Sequence, residues 1–469
     1  LKIRSNPNSE DIILDIYTKF SSYNIYMTIY ALSSGIGVSG IAVVRISGAE
    51  AKKIISGLTD KPFPTPRFAT LKKVNNSNKT GLIDEGIIIW YPGPNSYTGE
   101  DMAEIQVHGS RAVVKALLDA ISNFKNCRMA EPGEFTKLAL KNGKINLLKA
   151  ESIGDLISSE TDLQMKQALK VIAGKNLKKF ETWREDVLKV LSNIEAKIDF
   201  PDEDLPKEIL NDIKKKTDKI IREMEASLQD NKVGQIIRDG FKIAIIGPPN
   251  VGKSSLLNYL SNRDVAIVSE IAGTTRDVIE THLNINGYPV IISDTAGIRE
   301  AKDEIEKKGI KLSLKKADEA DLNIIIIEAK SKENRGFLDK YINEKTLLVV
   351  NKIDKESDII SSDLKKLNPI LVSIKNQKNI DVLINLIKEK IKSRFLGSEN
   401  VLITRARHRE NLEDCLKNLK KFKNKNDIND FDKAAEDLRL ATRSLGKITG
   451  KVDVEEILDS IFNDFCIGK

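Results

Sequence analysis

The sequence predicts a multidomain fold, α/β plus all-α, in which a phosphate-loop α/β domain is inserted in a helical domain and is preceded by a small α+β domain. Two observations predict this class. Residues 241–259 join an apolar β-branched strand, a glycine loop and the start of a helix, and amphipathic helical patterning stands both before and after that stretch. The chain has 469 residues, of which 41% are hydrophobic, so it is long enough for about three domains.

The loop GPPNVGKS at 247–254 is the centre of the predicted nucleotide domain. Its glycines let backbone N–H groups approach a polyphosphate, the helix N-terminus adds its positive dipole end, and Lys253 neutralises the outer phosphates. The Ser254 hydroxyl can ligate Mg²⁺. Because strand, loop and helix follow one another in register, a chance match is a poor explanation. The residues expected to contact the phosphates here are Asn250, Val251, Gly252, Lys253, Ser254 and Ser255.

Further motifs follow in the order that a nucleotide domain requires. The segment 271–277 offers the Thr275 hydroxyl to Mg²⁺ and the γ-phosphate, and a strand at 290–293 leads into DTAG, whose Asp can hold the metal's water shell. A strand at 346–350 leads into NKID, and a weaker match, SIK at 373–375, follows a short strand. The predicted nucleotide contacts in these segments are Ser269, Glu270, Ile271, Ala272, Gly273, Thr274, Thr275, Asp294, Thr295, Ala296, Gly297, Asn351, Lys352, Asp354, Ser373 and Lys375.

The last residue of NKID, Asp354, predicts which base is bound. A carboxylate suits the paired N–H donors of guanine, whereas facing adenine it would meet a hydrogen-bond acceptor. A buried charge left without a donor is strongly unfavourable, so such a site discriminates against adenine. The sequence therefore predicts GTP as the nucleotide.

Composition limits the partners and the location. Lysine and arginine exceed aspartate and glutamate by 7 (75 − 68 = 7), a modest excess that permits nucleic-acid binding without implying it. The three cysteines, Cys127, Cys415 and Cys466, are far apart and show no metal-ligand spacing, which suits a reducing cytoplasm. No apolar run approaches the ~18 residues of a membrane span, so we predict a cytoplasmic protein with no membrane span.

Patterning along the chain predicts the domain organisation. The first residues are polar and weakly patterned, and we expect them to be a disordered extension of a working protein that begins near Met27. Helical periodicity, with a break expected near Gly174, appears on both sides of the nucleotide domain, whose own ends should lie close together. The predicted parts are the extension 1–26, the N-terminal α+β domain 27–145, the helical domain 146–236 and 396–469, and the inserted nucleotide domain 237–395.

Several side chains outside the nucleotide motifs admit more than one interpretation. Arg45 and Glu104, taken alone, favour a surface ion pair, and His108 favours a satisfied loop histidine. The basic cluster at 404–409 is interpreted either as a contact to RNA phosphates or as a solvated face. Cys466 is either a buried hydrophobe or a reactive thiol.

The chain resembles the MnmE/TrmE family of tRNA-modification GTPases over residues 27–469. The resemblance rests on the inserted P-loop GTPase domain and on five further motifs, of which the N-terminal motifs and the tail are close to diagnostic. These motifs are GIAVVRISG at 40–48, SYTGED at 96–101, PGEFT at 132–136, IDFPDE at 198–203 and CIGK at 466–469. The departures are small: Ser269 and Glu270 stand where Thr and Asp are usual, Asn142 to Asn146 follows the family's pattern loosely, and Ile374 stands where Ala is usual.

The resemblance implies a homodimer whose N-terminal domain binds a tetrahydrofolate derivative, 5-formyl- or methylene-tetrahydrofolate. With a flavin-dependent partner of the MnmG/GidA type, in a heterotetramer, the family adds a carboxymethylaminomethyl or aminomethyl group to C5 of the wobble uridine (U34) of certain tRNAs. The family's folate contacts fall here on Arg45, Glu104, Lys144 and Lys469, which revises the ion-pair interpretation of the first two. Cys466 stands where the family has a functionally important cysteine, and we expect it to be catalytic in the modification reaction.

Hydrolysis is not expected to use a glutamine next to DTAG, because Ile298 stands there and a hydrocarbon cannot orient water. By resemblance the catalytic residue is Glu306, which would position the attacking water. Asn250 and the loop 269–274 are placed to bind K⁺ beside the β- and γ-phosphates, unless Asn250 only braces its loop. The predicted metal ligands are Ser254 and Thr275 for Mg²⁺, and Asn250, Ser269, Ile271 and Thr274 for K⁺.

Two other classes of function share the GTPase motifs. An RNA-binding switch for ribosome assembly should carry an RNA-binding module after the nucleotide domain, and none is visible in the sequence. A scaffold GTPase that dimerises without chemistry would need neither the N-terminal motifs nor Cys466.

Overall fold

The computed structural model describes most of the chain from residue 27 onwards. The described residues are 27–200, 207–248, 250–263, 280–294, 315–328, 341–354, 362–395, 401–424, 431–452, 458, 461–462 and 465–469. The chain divides into two compact units, one formed by Leu1–Gly154 with Thr449–Lys469 and the other by Asp155–Ile448. The predicted extension 1–26 lies outside the described residues, and the domain boundaries drawn from the sequence stay a prediction.

The first unit combines a mixed sheet with short helices. Its strands are β1 (Thr28–Leu32), β2 (Ser39–Ser47), β3 (Thr70–Asn75), β4 (Leu82–Tyr91), β5 (Met102–Gly109) and β6 (Cys127–Met129). Its helices are α1 (Ala51–Leu58), α2 (Arg111–Ser122), α3 (Glu134–Lys141) and most of α4 (Leu147–Ile157), which crosses the boundary between the units. The strand order is β3-β4-β5-β2-β1-β6; β1 and β6 run parallel, and the other neighbours run antiparallel.

One face of this sheet is covered by α1 and α2, and the other combines apolar packing against α3 with a charged pair. Alternate strand residues such as Val44, Ile88 and Ile105 are buried with residues of α1 and α2, because successive side chains of a strand point to opposite faces. The opposite face carries Arg45 and Glu104, which are directly paired in the β2–β5 register. This face therefore holds a charged pair inside the first unit.

The second unit contains the sheet that carries the phosphate loop. Its strands are β7 (Phe241–Ile246), β8 (Glu280–Ile285), β9 (Tyr288–Asp294), β10 (Leu322–Glu328), β11 (Thr346–Asn351) and β12 (Ile370–Leu371). Helices α9 (Lys253–Arg263), α10 (Ser362–Lys366) and α11 (Ile380–Arg394) follow strands of this sheet. The order is β12-β11-β10-β7-β9-β8, and the strands are parallel apart from the β8–β9 hairpin. Residues 324–327 are consecutive buried isoleucines, as in a parallel sheet covered on both faces.

Helices on either side of this sheet in the sequence, most of them long, complete the second unit. They are α5 (Asp162–Ile172), α6 (Lys175–Asp199), α7 (Lys207–Leu228), α8 (Val233–Asp239), α12 (Ala406–Asn424) and α13 (Phe431–Thr449). The predicted break near Gly174 is confirmed: this glycine has φ +86° and separates α5 from α6. Helices α7 and α12 pack side by side, and the Lys420–Glu225 and Lys423–Asp218 ion pairs, 2.6 Å each, link them.

The predicted fold class is confirmed by this combination of an α+β unit, a parallel phosphate-loop sheet and long helices. The prediction for His108 is wrong in one respect, because β5 extends beyond its apolar alternation and includes this residue. Its ring Nδ1 lies 2.9 Å from Asp84 Oδ1 on β4, so the histidine has a partner but not in a loop. No helix in the described part of the chain is long and apolar enough to cross a membrane.

Candidate functional site

The phosphate loop begins where β7 ends, and its backbone depends on two glycines. Gly247 and Gly252 have φ of +155° and +105°, and Asn250 between them has φ +60°. A Cβ on Gly247 would overlap the carbonyl oxygen of Ile326, and a Cβ on Gly252 would overlap the side-chain amide of Asn351. Both glycines are therefore required by close packing as well as by backbone conformation.

Lys253 is the first residue of α9 and is 8% exposed. Its ammonium nitrogen donates to the carbonyl oxygens of Gly247 and Pro248, each at 2.7 Å, so the side chain folds back across the loop. The loop thus surrounds a cationic group at the N-terminus of a helix, where backbone N–H groups also point outward. This arrangement can hold a polyphosphate.

The residues predicted to read the base are tied to the phosphate loop. Asn351 is buried; its amide nitrogen donates to the Val251 carbonyl at 2.7 Å, and its amide oxygen accepts from the Ile374 N–H at 3.1 Å. Lys352 donates to the Asn250 carbonyl at 2.7 Å and also pairs with Glu328. Side-chain contacts therefore fix the phosphate loop and the NKID segment to each other.

Asp354 is exposed at the mouth of this region and is oriented by Ser373. The buried Ser373 hydroxyl donates to Asp354 Oδ1 at 2.6 Å and accepts from the Asn376 N–H at 3.2 Å. Ile374, which stands where the family usually has Ala, is buried in the core, and Lys375 after it is exposed. The weaker sequence match at 373–375 thus lies where a base-supporting loop is needed.

Several predicted site residues fall outside the described residues. They are Ser269 to Thr275, Thr295 to Gly297 and Glu306, and Asp294 is described only as the backbone end of β9, paired with Ile245 of β7. The structure brings together the phosphate loop, Asn351, Lys352, Asp354 and Ser373 at the carboxyl ends of parallel strands. Ligands of open α/β sheets bind at that edge.

The first unit contains a second candidate site around Arg45 and Glu104. Their side chains form an ion pair at 2.8 Å and are 15% and 16% exposed. The Arg45 guanidinium also lies over the rings of Tyr97 and Phe135, at 5.6 and 5.7 Å. The ion-pair interpretation is confirmed, and the folate contact stays a prediction; the paired residues also line a cavity of about 510 Å³ that Lys469 borders.

The tail at 466–469 is held against β1 and the PGEFT turn. The Gly468 carbonyl accepts from Ser33 Oγ at 2.8 Å and from Arg45 at 3.3 Å, and the Lys469 carbonyl accepts from the Phe135 N–H at 3.2 Å. Gly468 has φ +96°, and a Cβ there would overlap the Leu32 carbonyl oxygen. The turn motif and the tail motif, far apart in sequence, therefore form one structure.

Burial and nearby charges change the pKa of Lys469 in the tail. Burial lowers the pKa of Lys469 below its ordinary value, and the Arg45 guanidinium lowers it further, while Glu104 and Cys466 oppose this change. Cys466 is exposed, so the interpretation as a buried hydrophobe is wrong; Phe462 and Phe465 fill the apolar space instead. The bend of the tail turns the thiol outward after Phe465.

The structure does not bring every predicted folate contact into the cavity. Lys144 is exposed and is not among the described residues that line it; its Cε lies 2.9 Å from where a Cβ on Gly99 would stand, beside the SYTGED loop. Sequence reasoning missed several lining residues. They are Arg67, Tyr91, Asn95, Met102 and Ile153. The motifs GIAVVRISG, SYTGED and CIGK signalled this region, but not these residues.

The basic cluster at 404–409 matches neither predicted interpretation. Arg405 pairs with Asp155 at 2.6 Å, and Arg407 donates to the carbonyls of Lys447 and Ile448 near the end of α13. Arg409 donates to the Leu228 carbonyl at the end of α7. Helix C-termini expose carbonyls that lack intrahelical donors and carry partial negative charge, so these arginines serve the fold.

A phosphate loop tied to a carboxylate that suits guanine, on a parallel sheet with flanking helices, defines a P-loop GTPase within a larger chain. Comparison with known proteins identifies the family of GTPases to which the chain belongs. The family profile described as "MnmE helical domain" matches residues 147–466, and the one described as "GTP-binding protein TrmE N-terminus" matches residues 28–144. The chain belongs to the MnmE family of tRNA modification GTPases, so it is an enzyme that hydrolyses GTP in tRNA modification, and tRNA is its substrate.

Curated relatives support this assignment across their whole length. The chain is 63% identical over 443 residues to the tRNA modification GTPase MnmE of Pelagibacter ubique (strain HTCC1062), covering 94% of this chain and 100% of the relative. It is 44% identical over 447 residues to the protein of the same description from Rickettsia bellii (strain RML369-C), with the same coverage. Among solved structures, Aquifex aeolicus Era bound to GDP and aluminium fluoride matches 38% of this chain and 66% of its own, at 26% identity and a TM-score of 0.27. A score this low bears on neither fold nor function.

Proposed function

We propose that the chain, together with a flavin-dependent partner of the MnmG/GidA type, adds a carboxymethylaminomethyl or aminomethyl group to C5 of the wobble uridine (U34) of certain cytoplasmic tRNAs, using a tetrahydrofolate one-carbon donor. The observation that carries the proposal is the cavity of about 510 Å³ in the first unit, where the Arg45–Glu104 pair meets Lys469 of the tail. The GTPase family alone does not require such a cavity.

The lining of this cavity fits a folate. Tyr91 and Tyr97 provide aromatic walls for a flat ring, and Glu104 provides a carboxylate that can accept from ring N–H groups. Arg45 and Lys469 supply donors and positive charge on the same side. A tetrahydrofolate derivative bound there would supply the one-carbon unit, and these residues would bind and orient it.

The exposed thiol of Cys466 serves the modification reaction in this proposal. It lies three residues from Lys469 and is close enough to influence the pKa of that amine. A thiolate is a nucleophile and a polarisable contact, so Cys466 can act directly on the activated uridine or position it. The thiol has no apparent task in GTP binding, since none of the nucleotide motifs lies in the first unit.

For GTP hydrolysis we propose Mg²⁺ held through Ser254 and Thr275, and K⁺ held by Asn250 with carbonyls of the loop 269–274. The αL turn at Asn250 supports this proposal, because Lys352 fixes the Asn250 backbone and so sets where its side chain begins. Glu306 positions the attacking water. K⁺ beside the phosphates would stabilise the transition-state charge.

Hydrolysis rates test these assignments. Single-turnover hydrolysis by Glu306→Ala should fall at least about tenfold with nucleotide affinity nearly unchanged. Wild-type hydrolysis should be faster in KCl than in NaCl. A Glu306→Ala variant with wild-type turnover, or equal rates in the two salts, would reject the corresponding assignment.

A homodimer completes the proposal. Ile36 and Val38, in the loop between β1 and β2, are 98% and 84% exposed, and Ile41 on β2 is also exposed. A monomer seldom leaves such apolar side chains together in water, and a second copy of the chain would cover them. Sedimentation of the wild type should give a dimer, and Ile36→Ser with Val38→Ser should weaken it.

Mass spectrometry of tRNA nucleosides from cells that lack the gene tests the main proposal. We expect the wobble position to lose its C5 substituent, and complementation with the wild-type gene to restore it. Unchanged wobble uridines would reject the proposal and would favour a GTPase with another RNA task.

A further inference from the structure

We infer that Arg67 is a specificity-determining residue that binds the anionic glutamate tail of the folate, an inference that rests on the proposed folate-binding function. Arg67 lines the same cavity as Arg45 and Glu104. Its guanidinium lies 5.9 Å from the centre of the Tyr91 ring and donates to the Asn95 carbonyl. It therefore stands over an aromatic wall of the proposed binding site.

Arg67 and Arg45 differ in their charge partners. Arg45 forms an ion pair with Glu104 at 2.8 Å, whereas no carboxylate of the described residues forms an ion pair with Arg67. Arg67 is also exposed, so its guanidinium can receive a ligand from solvent. A planar guanidinium with unused N–H donors matches a carboxylate through two parallel hydrogen bonds.

The backbone holds Arg67 in an unusual conformation. Its φ is +65°, a left-handed value that side-chain-bearing residues rarely adopt and that is enriched at functional sites. The segment is fixed to β4, because the Arg67 N–H donates to the Trp90 carbonyl at 2.8 Å and Pro66 forms a parallel bridge with Trp90. The guanidinium is thus presented from a defined position.

The sheet sets the separation of the two arginines. In the strand register Arg45 on β2 pairs with Glu104 on β5, which pairs with Ile89 on β4, and the Arg67 segment lies on the far side of β4. Three strand spacings of about 4.8 Å place the two backbones roughly 14 Å apart. A folate suits two cationic groups presented from separate segments of the cavity, because its ring system and its glutamate carboxylates are at opposite ends of an extended molecule.

A pair of ligands isolates this contact. We would measure binding of 5-formyltetrahydrofolate, which has the glutamate tail, and of 5-formyl-6-methyltetrahydropterin, which lacks it, by calorimetry on the full chain. Arg67→Gln should weaken binding of the folate about tenfold and leave binding of the pterin unchanged. The folate affinity of Arg67→Lys should lie between those of the wild type and Arg67→Gln, because lysine keeps the positive charge but cannot form two parallel hydrogen bonds with a carboxylate.

Arg111→Gln is the matched control, since Arg111 is an exposed arginine at the start of α2, which covers the other face of the sheet. Arg111→Gln removes the same charge and should change neither the folate affinity nor the pterin affinity. Equal weakening of both ligands by Arg67→Gln, or no weakening of either, would overturn the inference. If the wild type bound neither ligand, the proposed folate function itself would fail, which is a different result.

Discussion

The nucleotide site and the cavity of the first unit are built in contrasting ways. The phosphate loop is contiguous in sequence and offers mostly main-chain groups, which buried side chains such as Asn351 only brace. The cavity is assembled from side chains of separate strands and of the tail, with Arg45, Glu104 and Lys469 far apart in the chain. A site of the first kind depends on the absence of Cβ atoms at a few positions. A site of the second kind depends on distant segments being docked.

Alanine substitutions at Gly252 and Gly468 test this contrast most strongly. An added Cβ would overlap the Asn351 amide in the first case and the Leu32 carbonyl in the second. We expect Gly252→Ala to weaken GTP binding at least about 100-fold, and Gly468→Ala to lower tRNA modification to a similar extent while GTP hydrolysis is kept. Nucleotide titration and nucleoside mass spectrometry on both variants give the answer.

Gly143→Ala is the control for these two variants. Gly143 also has a positive φ, +66°, but a Cβ there would meet nothing within 4 Å. Both activities should stay near those of wild type. If Gly468→Ala also abolished GTP hydrolysis, the two sites would not be independent.

The next largest effect should come from Cys466→Ser. Serine keeps the size and a hydrogen-bonding group but does not ionise readily, so tRNA modification should collapse while dimerisation and K⁺-stimulated hydrolysis persist. Cys127→Ser provides a comparison, because that thiol is half-buried and donates to the Phe124 carbonyl at 2.8 Å. Survival of modification in Cys466→Ser would remove the thiol from the reaction.

Base recognition should respond in two graded steps. Asp354→Asn offers a mixed donor and acceptor, which suits the xanthine O2, so GTP affinity should fall about 100-fold and XTP should be preferred. Ser373→Ala leaves the carboxylate but removes the 2.6 Å hydrogen bond that orients it, so GTP affinity should fall only about tenfold. Competition between GTP and XTP measures both; a variant at 354 that still prefers GTP would exclude this residue as the base reader.

The smallest expected effect is a pH dependence of folate binding. The pKa of Lys469 is lowered by burial and by Arg45, so its ammonium loses its proton at a lower pH than that of an ordinary lysine. Affinity for an anionic folate should be full below that lowered pKa and decline severalfold as pH rises through it. Lys469→Arg stays charged and should flatten the profile. An unchanged profile in Lys469→Arg would show that another group titrates.

Local sequence was sufficient for the nucleotide domain and insufficient for the cavity. The loop at 247–254 and the Asp354 motif each carry their chemistry within a few residues, so the motif residues together with strand and helix patterning located them. Arg67 gave no signal, since its task depends on a β4 contact and on Tyr91, which only the folded sheet supplies. The sequence could not predict the contacts of the basic cluster at 404–409 for a related reason. The helix ends to which Arg407 and Arg409 donate are distant in the sequence.

The amide of Asn351 has a consequence for how nucleotide leaves. Its nitrogen donates to the Val251 carbonyl and its oxygen accepts from the Ile374 N–H. One side chain therefore links the phosphate loop to the loop at 373–375. Under the proposed roles of the phosphate loop and Asp354, we expect release of the base and release of the phosphates to be coupled through Asn351. The rate constant for departure of GDP should then depend on these two hydrogen bonds more than on either loop alone.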